Sequence, residues 1–162
     1  MDKEQTFKTL GLLWNSEFDQ FLFSLNFCNS DKFTKRNTLS TIAKIFDPLG
    51  LLAPIMILLK IFIQKLWQIK LDWDATLPEV VQIEWLNIIS HLDLIRQIKV
   101  PCFVLINDVE KVEMLGFSDA SVKAYGAAVY LRSTNSAGIT SCKLVASKTR
   151  VAPLKTISLP KP

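Results

Sequence analysis

Short apolar runs lie towards both ends of this chain and bracket a central stretch whose apolar positions recur at helical spacing. Residues 7–14 (FKTLGLLW) and 21–27 (FLFSLNF) are apolar and partly alternating, with a polar Asn-Ser-Glu-Phe-Asp segment between them. That pattern predicts a β-hairpin. Residues 34–37 (TKRN) then offer capping side chains, and Leu39, Ile42, Ile45 and Phe46 follow at helical spacing. Asp47-Pro48 should end that helix, with Gly50 in the turn beyond it.

Pro54 can open a second helix reaching about Ile69, on which Lys60, Gln64 and Gln68 form a polar stripe on an otherwise apolar surface. Residues 71–74 (LDWD) read as a connector. Thr76-Leu77-Pro78-Glu79 has the spacing of a capping box, opening a third helix with Val81, Trp85, Ile88, Leu92 and Ile95 on one face. From Ile98 the period changes. Residues 100–106, 113–118, 124–132 and 139–147 read as strands, the last three as an antiparallel meander, and residues 133–138 (STNSAG) as a turn. The expected fold class is therefore α+β, with a boundary between Gln97 and Met114.

Composition adds limits. The chain has 162 residues, 49% hydrophobic and 21% charged, which is a globular composition. Its longest apolar run, residues 51–59, contains Pro54 and is too short to span a bilayer. The first residues are polar and lack a signal-peptide pattern. The expectation is an intracellular protein, cytoplasmic or nuclear, with no membrane partner. Three widely spaced cysteines and one histidine form neither a zinc pattern nor a disulfide framework.

Charge is unevenly placed. All 15 acidic residues lie at or before Asp119; residues 120–162 carry +7 and the rest of the chain −3. A basic stretch beside an acidic part suits either a polyanion partner or a solvated surface. Next to it, Gly116-Phe117-Ser118-Asp119-Ala120-Ser121 puts an aspartate at a strand end, before a Gly/Ala-rich returning strand. A carboxylate so placed can hold a divalent cation. The same D-A-S sequence also makes an ordinary turn.

Several blocks resemble the Pol polyprotein of BEL/Pao retrotransposons, in the region known as the Pao retrotransposon peptidase family. They are residues 8–14 (KTLGLLW), 34–36 (TKR), 42–54 (IAKIFDPLGLLAP), 71–74 (LDWD), 116–121 (GFSDAS) and 151–155 (VAPLK), in the family's order. The resemblance implies a β-hairpin from the end of a reverse transcriptase palm over residues 1–33. A three-helix thumb and connection would follow over 34–111, and an incomplete RNase H-like antiparallel sheet over 112–162. Asp119 would be the first carboxylate of an RNase H centre, which in the intact relative binds Mg²⁺ and hydrolyses RNA in an RNA–DNA hybrid by two-metal chemistry.

The implied partners are such a hybrid and the rest of the Pol polyprotein. Lys143, Lys148, Arg150 and Lys155 are the candidate nucleic-acid contacts. The polymerase Tyr-x-Asp-Asp motif is absent, as is an aspartic protease D-[ST]-G motif. The family commonly continues S-L-P-[RK]-L-E-L, whose glutamate is a second metal ligand; here residues 158–162 read SLPKP. The resulting expectation is a catalytically inactive piece of Pol. The alternative is a domesticated, non-catalytic nucleic-acid-binding module.

Overall fold

The first apolar run breaks into two strands rather than one. The structure, a computed structural model, describes residues 6–9, 12–24 and 32–154. Strands β1 (Thr6–Thr9), β2 (Leu12–Asn15) and β3 (Gln20–Leu22) form an antiparallel meander. The Asn15 side-chain oxygen accepts from the backbone N–H groups of Glu17 and Phe18, tightening the β2–β3 turn. The last residues of the second apolar run, and Cys28, lie outside the described residues.

Helices α1 (Lys35–Ile42), α2 (Ala53–Gln68) and α3 (Glu79–Leu92) follow, the last continued by a 3-10 turn, Asp93–Gln97. Thr34 caps α1 by accepting from the Asn37 N–H. The helix stops at Ile42, short of the expected Asp47-Pro48, and Asp47 serves the start of the next helix instead. The Asp47 carboxylate accepts from the N–H groups of Leu51 (2.8 Å) and Leu52 (2.9 Å), immediately before α2. The expected capping box at Thr76 does not form. Thr76 bridges to Thr34 instead, and Pro78 begins α3 without a side-chain cap.

The chain then returns to the first sheet. Strand β4 (Lys99–Pro101) is much shorter than the sequence suggests and pairs with β3, giving the order β1-β2-β3-β4. The helices are thus enclosed between strands of one sheet. The buried apolar core lies here, with Leu52, Leu59, Phe62, Leu66, Trp85 and Ile95 among its members. Phe62 and Trp85 stack at 5.3 Å.

Two motif blocks clamp each other beside this core. Lys35, buried, donates to the carbonyls of Ile69 (2.6 Å) and Leu71 (2.8 Å). Arg36 holds Asp74 with two hydrogen bonds and lies 5.9 Å from the Trp73 ring.

Strands β5 (Val109–Ala120), β6 (Ala124–Asn135) and β7 (Thr140–Val151) make a second sheet in the order β5-β6-β7. The expected meander is observed, with longer strands. Ser133, read from sequence as a turn residue, is buried inside β6; the turn itself follows Asn135 and uses Gly138 at φ +76°. α2 and the loop before it lie along the outer edge of β7. The Ser147 N–H donates to Leu49 O, its hydroxyl to Gly50 O, Lys60 Nζ to Thr149 O, and Gln64 to Ala152 O.

Gly50 cannot be replaced cheaply at this junction. Its φ is +73°, and a Cβ would stand 1.9 Å from Ser147 O. Gly50→Ala therefore combines left-handed strain with a backbone clash, and is expected to destabilise the protein by about 3 kcal/mol or more. Urea unfolding of the two proteins measures the difference.

The second sheet contributes no residue to the buried apolar core, and Met114 and Phe117 are exposed. Hydrogen exchange should accordingly be faster across residues 109–151 than across α2 and α3. Uniform strong protection over both regions would contradict this.

Candidate nucleic-acid interface

Strand register divides the second sheet into two chemically different faces. Asp119 pairs with Gly126, which pairs with Thr149, so these three share one face with Phe117, Ala128 and Tyr130. This inner face and the start of α2 enclose an open cleft of about 660 Å³, with Pro54 and Ile57 opposite Phe117 and Tyr130. Phe117 and Tyr130 meet edge to face at 5.7 Å.

The other face is basic. Lys148 pairs with Ala127, Arg150 with Tyr125, and Lys143 with Leu131. Tyr125, Ala127 and Leu131 alternate along β6, so all three cations project from the outer face. Lys143 and Lys148 are an odd number of residues apart and in a regular strand would point to opposite sides. A bulge between Leu144 and Ala146 inserts Val145 and brings them back to the same side.

At the end of this face, Lys148, Arg150, Tyr125, Asp119 and small residues such as Ser118 and Ala127 surround an open basin of about 660 Å³. Neither cation makes an ion pair among the described residues, whereas Arg132 is engaged by Glu113 at 3.1 Å. Lys60 approaches from α2. Burial, then the nearby Lys148, and also Arg150, push its pKa down, with Asp47 opposing. The β7 end therefore concentrates positive charge.

Asp119 is exposed at the end of β5, and its Oδ1 accepts from the Ala120 N–H at 2.8 Å. Among the described residues no group of three histidine, cysteine or acidic side chains converges to hold a metal ion. One exposed carboxylate is too few oxygen ligands for Mg²⁺, so these residues alone do not fit the ion. Lys155 lies outside the described residues. Register thus brings Lys143, Lys148 and Arg150 onto one face and alternates Asp119 to the other, although Asp119 at the strand end also lines the basin beside Lys148 and Arg150. Sequence reasoning missed Tyr125 and Lys60. The first sits in a motif read for its small residues, and the second in a polar stripe that gave no hint of β7.

A small antiparallel meander, with an aspartate at the end of its first strand and helices preceding it, is an α+β arrangement of RNase H-like kind. The chain belongs to the family described as the Pao retrotransposon-like RNaseH-like domain, which it matches over residues 34–162. The match begins at the cap of α1 and takes in the helices as well as the second sheet. No curated protein and no solved structure matches the chain. Among the described residues no helix is long and apolar enough to cross a membrane.

The two described thiols do not extend this chemistry. Cys142 is exposed, while Cys102 is half-buried, and burial, followed by the neighbouring Asp19, pushes its pKa up to about 11. At neutral pH, iodoacetamide should label Cys142 well before Cys102, as peptide mass spectrometry would show. Equal rates would contradict the described packing around Cys102.

Proposed function

We propose that this chain is a nucleic-acid-contacting part of a retrotransposon Pol polyprotein, holding an RNA–DNA hybrid through Lys143, Lys148 and Arg150 without cleaving it by itself. The observation that carries the reading is the shared face of these three cations, which lack acidic partners among the described residues. Side chains so arranged can contact successive phosphates and release counterions, a mode indifferent to base sequence. Family membership supports the polyprotein setting. Residues 1–33 as a palm end and 34–111 as thumb and connection belong to the same proposal and rest on the order of the motif blocks.

Asp119 fits the role of one carboxylate in a larger metal centre, which other parts of Pol would complete. In this chain it stands at the sheet edge, lining both the cleft beside α2 and the basin of Lys148 and Arg150.

Titration of a labelled hybrid at several salt concentrations tests the reading. Affinity is expected to exceed that of an unrelated protein of similar charge and to fall steeply with salt. Replacing Lys143, Lys148 and Arg150 together by Gln should flatten the logarithmic salt slope by about 2 to 3. Affinity no better than the control protein's would remove the interface. Mg²⁺- or Mn²⁺-dependent cleavage of the hybrid, abolished by Asp119→Asn, would overturn the non-catalytic part.

A further inference from the structure

The basin on the outer face has chemistry narrower than a general attraction for polyanions. Tyr125 is 44% exposed and lies directly across the ladder from Arg150, with Lys148 two residues along the same strand. Its ring makes no aromatic contact among the described residues, whereas Tyr130 on the inner face is engaged by Phe117. Apart from Asp119 the basin's other lining residues are small, with Ser118, Ala120 and Ala127 leaving the ring open to a flat ligand. Asp119 alternates by register to the opposite face but also lines the basin, one carboxylate against the two cations Lys148 and Arg150.

A duplex presents phosphates but keeps its bases stacked inside, so it makes no use of an exposed aromatic ring. A single strand offers both phosphates and an accessible base face. Cations flanking a free aromatic ring on an open sheet surface match that second ligand.

We propose that this basin seats an unpaired nucleotide of single-stranded RNA or DNA, with its base on the Tyr125 ring and adjoining phosphates on Lys148 and Arg150. The inference rests on the outer face being a nucleic-acid interface and adds to its phosphate contacts a seat for a base that a hybrid duplex keeps stacked inside.

The full chain would be titrated with labelled oligo(dT), oligo(U) and a blunt hybrid duplex. Both single strands are expected to bind. Tyr125→Ala should weaken them about tenfold, the scale of one base–aromatic stack, and leave duplex affinity unchanged. Tyr125→Phe should bind like the parent, and the circular dichroism of both variants should match it. Replacing Lys148 and Arg150 by Gln should weaken every ligand. Photocrosslinking with an iodouracil-substituted strand, read by mass spectrometry, should mark Tyr125.

Single-strand affinity indifferent to Tyr125→Ala but lost with the Gln pair would overturn the seat and leave the phosphate interface standing. No binding of any nucleic acid beyond a charge-matched control would remove both. Crosslinks confined to other elements would also overturn the seat. So would capture of an acidic helical peptide, but no oligonucleotide, on this face.

Discussion

The backbone edge of β7 is the constraint on which the arrangement of this molecule depends. One side of β7 is satisfied by β6. The other is met by the loop before α2 and by α2 itself, through Leu49, Gly50, Lys60 and Gln64. Polar groups on a strand edge need partners when covered, and a helix side cannot supply backbone ones. Two long side chains and a tight loop do so here. The second sheet, which has little buried apolar surface, is thereby fixed to the helical core.

This explains where the sequence information is concentrated. In residues 47–54, Asp47 caps the approach to α2, Gly50 admits the Ser147 carbonyl, Leu52 and Ala53 are buried, and Pro54 opens the helix. Residues 34–36 and 71–74 form the Lys35 and Arg36 clamp. The blocks by which the chain resembles its family are thus largely joints between elements. The α+β class and three helices were legible from periodicity, and the meander from alternation and turn composition. The Thr76 capping box was a local signal overridden by tertiary pairing with Thr34. The return of β4 to β3 had no local signature, because that pairing joins residues far apart in sequence.

The candidate site was legible in outline. A charge count along the chain located the basic stretch, and the D-A-S context located Asp119. Neither could say which side of a sheet each residue occupies, since that depends on register. Spacing alone would have divided Lys143 from Lys148, and only the pairing partners on β6 show that they face the same way. Arg132, one of the seven basic residues counted after Asp119, is withdrawn from that set by Glu113 on the adjacent strand.

The bulge at Val145 also bears on how related chains should be aligned. A one-residue gap in β7 would ordinarily be dismissed as noise at a strand irregularity. Here it decides whether the positive charge before it faces the same way as the charges after it. A relative without the extra residue would need its lysine displaced by one position to present the same surface. Alignment columns that ignore this would report a lost charge where none is lost, or a retained one that has turned away.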